Sequence, residues 1–143
     1  MILLDANVLI YAHRQDTDHH EKYRKWLENL VNGNKSFGIS DSVLSAVIRV
    51  TTHTQIFKNP SSLKEVLAFV EQIRHCPQCF IVTPGPKHWD TFLSLIRSLK
   101  ITGNDVPDAY LAALAIEWDY EFITTDQGFA RFKLLKWRHP FNL

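Results

Sequence analysis

The chain has 143 residues, 45% of them hydrophobic, with a formal net charge of +1. That length and apolar content suit one compact domain with a sizeable core and argue against disorder. Near-neutral charge excludes a polycation, so any nucleic-acid contact must come from a local basic patch. No basic, apolar, small-residue leader opens the sequence, and its longest apolar run is too short to span a bilayer. Two cysteines make no disulfide framework, which predicts a reducing, cytoplasmic setting without membrane attachment.

Ile2-Leu3-Leu4 is an apolar run ending at Asp5 and reads as a buried parallel strand. A helix starts at Asn7 and runs to His13. Within Asp18–Val31, Tyr23, Trp26, Leu27 and Leu30 recur at helical spacing, and Asn32-Gly33-Asn34 ends that helix. Ser36–Ser40 is a short strand, after which Asp41 or Ser42 can cap a helix reaching about Thr54. Pro60-Ser61-Ser62 starts a further helix that stops near His75–Pro77. Phe80–Thr83 reads as a strand broken by Pro84-Gly85-Pro86. A helix then spans about Lys87–Leu99, and the turn Thr102-Gly103-Asn104 leads into an alanine-rich helix over Asp105–Trp118. Glu121–Thr125 is a strand ending at Asp126. A short helical turn (GFARF) and an extended piece (LLKWRHP) follow. Strands alternating with helices predict an α/β fold with a mainly parallel sheet.

Asp5 and Asp126 each end a strand, and ligands in open α/β sheets lie outside the carboxyl ends of the strands. Asp108 lies in the first turn of the alanine-rich helix and reaches the same edge if that helix starts near it. Converging carboxylates repel, so such a trio calls for a hard cation, magnesium or manganese, with water filling the remaining positions. Metal-assisted phosphoryl transfer with activated water is the chemistry this favours. Each acid also has a local explanation. Asp5 and Asp126 can cap the helices that follow them, and of Asp105 and Asp108 one can cap while the other takes the third helical position. Ala112 and Ala115 lie on the Asp108 face of their helix, while Glu117 is half a turn away and is excluded as a ligand.

Three segments, ILLDANVLIYA, GNDVPDAYLAALAIE and ITTDQGFARF, together resemble the PIN-domain family, and most nearly the VapC-type toxins of toxin–antitoxin modules. The resemblance extends over essentially the whole chain, including SVLSAVIRVTTH, the Asn-Pro after Phe57 and the closing KWRHPF. It implies a PIN-like three-layer fold and a magnesium-dependent ribonuclease that is neutralised by a cognate antitoxin and pairs as a homodimer. By position, Asp5, Asp108 and Asp126 match the family's acidic metal-binding residues. Asn7 matches a polar neighbour of the first, and Thr124 or Thr125 the hydroxyl residue before the last. Two departures stand out. Most such toxins carry a glutamate where this chain has Ala46, and a second acid where it has Gly128. Asp105 can supply the missing ligand, Asp41 is a second candidate, and water is a third.

Arg49 can hold a phosphate or pair with a site aspartate. Arg131, Lys133, Lys136, Arg138 and His139, interleaved with Phe132 and Trp137, form a candidate RNA-contact strip, or a solvated surface over core aromatics. Cys76 and Cys79 lack the second pair that structural zinc needs. His13, His19 and His20 read as solvent-exposed and without a role. A phosphotransfer receiver would need an acidic pair at the first strand, and a haloacid-dehalogenase-like phosphatase would need Asp-x-Asp there. Asp5-Ala6-Asn7 satisfies neither. The alternative from another class is a catalytically weakened PIN fold that binds only RNA or the antitoxin, for which Ala46 and Gly128 speak.

Overall fold

A computed structural model describes residues 1–142. Its elements are β1 (Ile2–Leu4), α1 (Ala6–His13), α2 (His20–Val31), β2 (Phe37–Ile39), α3 (Asp41–Thr51), α4 (Leu63–Arg74), β3 (Cys79–Ile81), α5 (His88–Leu99), α6 (Val106–Trp118), β4 (Glu121–Ile123) and β5 (Trp137–Arg138). Short 3₁₀ turns cover Gly103–Asp105 and Gln127–Arg131. The strands form one sheet in the order β3-β2-β1-β4-β5, every pairing parallel.

Side chains alternate across a strand, and that period sorts the core into two layers. Leu4, Phe37, Ile39 and Ile123 point to the face covered by α1, α2, α3 and α4. Leu3 and Phe122 point to the other face, against α5, α6 and the aromatics Phe129 and Phe132. Gly38 faces that second layer, where a Cβ would fall 2.6 Å from Val82 Cγ2. The expected α/β three-layer architecture is the observed one.

Helix starts follow short-range chemistry. Ser40, one residue before the expected caps, accepts from the Ser42 amide and begins α3. Ser62 accepts from the Glu65 amide and begins α4. Helix α3 ends at Thr51 rather than Thr54, and the Thr51 and Thr52 hydroxyls donate back to the Val47 and Ile48 carbonyls in its last turn. Helix α6 carries Ala109, Ala112, Ala113 and Ala115, all fully buried, and these small side chains let it lie close against the sheet. Glu117 faces away from the acids as expected and accepts from the Gly85 and Lys87 amides, bracing the loop before α5.

Among the described residues, no helix is long and apolar enough to cross a membrane. The histidines depart from expectation. His13 bonds Ser61 Oγ at 3.1 Å and stacks on Phe69, and His20 bonds the Tyr11 carbonyl at 2.9 Å, so both are half-buried and only His19 is exposed.

Candidate active site

β1 lies at the centre of the sheet and β4 beside it, so Asp5 and Thr124 leave adjacent strands at the same edge. Asp5 is 8% exposed and caps α1, its Oδ1 accepting from the Ala6 amide at 2.7 Å. Its other oxygen, Oδ2, accepts from Thr124 Oγ1 at 2.7 Å and from Asn7 Nδ2 at 3.1 Å. Asn7 in turn accepts from the Thr125 amide at 3.2 Å, and the Asp126 amide donates to Thr124 Oγ1 at 3.1 Å. One polar network therefore joins the ends of β1 and β4. Thr124, fully buried, supplies the hydroxyl, while Thr125 contributes only its backbone.

Burial pushes the Asp5 carboxyl up to about 6. The Thr124 and Ala6 bonds oppose the rise, and the charges of Asp108 and Asp126 add to it. A buried carboxylate with opposed neighbours is characteristic of a functional site.

Asp108 occupies the third position of α6, whose start faces the same edge. Burial raises its carboxyl too, the ion pair with Arg131 pulls it back, and Asp126 and Asp105 push it up again. Asp126 is exposed and accepts from the Gly128 amide at 2.8 Å, capping the 3₁₀ turn. The capping explanation therefore applies to both Asp5 and Asp126. Asp105 precedes α6 without making a capping bond and lies 3.9 Å from an Arg131 nitrogen. Asp41 pairs with Arg74 at 2.9 Å and lines a hollow separate from the one holding Asp5 and Asp108, so it is not placed to join them.

Asp5, Ala46, Arg49, Asn104, Asp108 and Tyr110 help line an open groove of about 880 Å³. A larger side chain at Ala46 would project into it. Arg49 is exposed on its wall, and the site aspartate is paired by Arg131 instead, at 3.1 Å from Asp108 Oδ2.

The basic strip is largely engaged within the fold. Arg131 holds Asp108, Lys136 holds Asp119 at 2.7 Å, Arg138 holds Glu121 at 2.7 Å, and His139 bonds the Tyr23 hydroxyl. Lys133 is exposed. Phe132 is 1% exposed, a core residue that has no face for a base to stack on. Cys76 bonds Gln78 and the Val31 carbonyl in a turn, and both thiols are free.

Among the described residues, no three acid, imidazole or thiol groups converge closely enough to hold a metal ion unaided. The donors are all oxygen, and the charges of neighbouring acids add to the rise of the Asp5 and Asp108 carboxyls beside an open groove with room for water. Such a set fits a hard divalent cation that keeps several of its waters, and does not fit a closed protein cage.

Residues 2–135 match the PIN domain. The VapC ribonuclease Mb2897 of Mycobacterium bovis is 41% identical over 142 residues, covering 99% of this chain and 97% of its own. Ribonuclease VapC25 of Mycobacterium tuberculosis is 34% identical over 140 residues, covering 98% of this chain and 99% of its own. The chain belongs to the PIN-domain family, among the VapC ribonucleases. Its fold matches that in the crystal structure of VapBC2 from Rickettsia felis bound to a promoter DNA fragment, with a TM-score of 0.71 and 22% identity over 97% of this chain and 98% of that one. It also matches Mycobacterium tuberculosis VapC20, a sarcin-ricin loop cleaving toxin, with a TM-score of 0.66 and 13% identity over 92% of this chain and 95% of that one.

Proposed function

We propose that this chain is the ribonuclease toxin of a toxin–antitoxin module and hydrolyses RNA phosphodiester bonds with a divalent ion, magnesium or manganese in its place. Asp5, Asp108 and Asp126 would hold the ion, with Asp105 as a further ligand through water. The observation that carries this reading is the buried Asp5 carboxylate, fixed by Thr124, Asn7 and Ala6 and charge-coupled to Asp108 and Asp126. When bound, the ion supplies activation of water and neutralisation of charge at phosphorus.

The chain's own residues do the rest. Thr124 and Asn7 keep Asp5 in one rotamer, so no reorganisation is needed as charge develops. Arg49, on the groove wall, suits a phosphate of the incoming strand and would position it over the acids. Lys136 and Arg138 are held by Asp119 at the far end of α6 and by Glu121 at the start of β4, away from this groove, so the exposed Lys133 is what remains of the basic strip for RNA. The partners in this reading are RNA, a cognate antitoxin and a second copy of the chain, in the cytoplasm. Support for the antitoxin comes from the VapC names of the relatives and the VapBC assembly of the structural match.

A second reading, a PIN fold that binds RNA or antitoxin without cutting, is favoured by two observations. Asp108 is already paired with Arg131, and Ala46 offers no carboxylate. RNA cleavage with magnesium, with and without EDTA, on the wild type and Asp5→Asn decides between them. The toxin reading expects cleavage that both EDTA and the substitution abolish. Absence of cleavage by the wild type under all conditions supports the binding-only reading, and cleavage persisting in EDTA rejects the metal site.

A further inference from the structure

The acid cluster already contains a cation of its own. Arg131, at the end of the 3₁₀ turn that Asp126 caps, brings one guanidinium nitrogen 3.1 Å from Asp108 Oδ2 and 3.9 Å from Asp105 Oδ1. The other terminal nitrogen donates to the Gly128 carbonyl at 3.2 Å. The guanidinium also lies 4.8 Å from the ring centre of Phe132, itself a core residue. It is therefore anchored by its own turn and by a buried aromatic, and its side chain is only 33% exposed.

Gly128 is part of this seat. A Cβ there would fall 3.0 Å from the Arg131 nitrogen and 2.9 Å from Asp126 Oδ1. A side chain here would crowd both the guanidinium and the cap, so the absence of one lets the two lie close together.

The electrostatics give the seat a purpose. Asp126 and Asp108 act through their charge on Asp5, and Asp126 and Asp105 on Asp108, and like charges so placed destabilise one another even without converging on one point. A guanidinium stays protonated and keeps its fork geometry, so it offsets part of that repulsion permanently. The same positive charge opposes any other cation approaching Asp108.

Resting on the metal-site reading above, we propose that Arg131 is a resident counter-cation that competes with the divalent ion for Asp108. It steadies the acids when the ion is absent and weakens the ion's binding when it arrives. Occupancy of the site would then respond to the free divalent-ion concentration rather than being saturated at all times.

The test is calorimetric titration with Mn²⁺ at pH 7.5, together with melting temperatures with and without Mn²⁺, on the wild type, Arg131→Gln and Arg131→Lys. The glutamine variant is expected to melt lower without metal, to bind Mn²⁺ on the order of tenfold more tightly, and to gain more in melting temperature from it. Tenfold is the scale of a unit charge acting on a divalent ion through high dielectric. The lysine variant keeps the charge and is expected to bind within about threefold of the wild type. Should the glutamine variant not fold, Arg131→Met removes the charge while keeping a long unbranched side chain against Phe132, and carries the same expectation. Equal or weaker Mn²⁺ binding on loss of the charge overturns the proposal, as does a lysine variant that behaves like the glutamine one. A wild type that takes up no Mn²⁺ removes the metal reading itself, and this inference with it, a result distinct from both.

Discussion

The Thr124 hydroxyl donates to Asp5 Oδ2 at 2.7 Å across a sequence separation of 119 residues, and this bond welds the end of β4 to the end of β1. Thr124 Oγ1 in turn accepts from Asn7 Nδ2 and from the Asp126 amide. Thr124→Val keeps the shape and removes every one of these bonds, leaving a buried carboxylate oxygen and an amide short of partners. The expected cost is about 2–3 kcal/mol in urea unfolding, with RNA cleavage down by more than about tenfold. Thr124→Ser restores the hydroxyl and is expected to recover most of the cleavage, an outcome that a pure packing role for the threonine would not produce.

Asp5 holds its proton up to about 6 in the folded chain, against an ordinary value of 3.8. Between those values the folded state binds more protons than the unfolded one, so the metal-free protein loses stability as pH rises through that window. Above about pH 6 the penalty is constant, at no more than about 3 kcal/mol. Urea unfolding from pH 4 to pH 7 is expected to show this fall in the wild type and a flatter profile in Asp5→Asn. Apparent Mn²⁺ affinity is expected to weaken as pH drops below about 6, because a protonated carboxyl is a poor ligand.

Asp126 caps a turn and its charge acts on Asp5 and Asp108, and two substitutions separate the cap from the charge. Asn can still accept from the Gly128 amide but carries no charge. Asp126→Asn is expected to stay within about 0.5 kcal/mol of the wild type, and Asp126→Ala to lose about 1 kcal/mol. Cleavage is expected to fall on the order of a hundredfold in both. Retained cleavage in the asparagine variant would reduce Asp126 to a cap.

Arg49 stands on the groove wall, and Arg131 rather than Arg49 pairs with Asp108. Arg49→Ala is expected to raise KM for RNA about tenfold, the scale of one charge-assisted phosphate contact, while Mn²⁺ affinity stays unchanged. A shift in Mn²⁺ affinity would show instead that Arg49 acts on the acids.

Element order was readable from periodicity because strands and helices here are short, apolar and separated by turn residues. Element ends were less so. The strand expected over Glu121–Thr125 stops at Ile123, since the Thr124 and Thr125 backbone turns into the polar network with Asp5 and Asn7. The three acids were legible as residues at element boundaries. The role of Arg131 was not, because its spacing to Phe132 and Lys133 mimics an RNA-binding strip. What separates the two is burial of Phe132, a tertiary property that no local pattern encodes. The signal that was available is its place in the same short turn as Asp126, with a glycine between them.

β1 occupies residues 2–4 yet sits in the middle of the sheet, and its partner β4 begins at residue 121. The Asp5 amide itself donates to the Ile123 carbonyl. During synthesis the first strand emerges early and must wait, with one edge unpaired, until nearly the whole polypeptide has left the ribosome. A nascent or truncated chain has no Thr124 to hold Asp5 and no Asp126 to oppose it. Assembly of this edge of the sheet therefore waits until residues 121–126 have emerged, and a nascent chain shorter than that presents Asp5 without either neighbour.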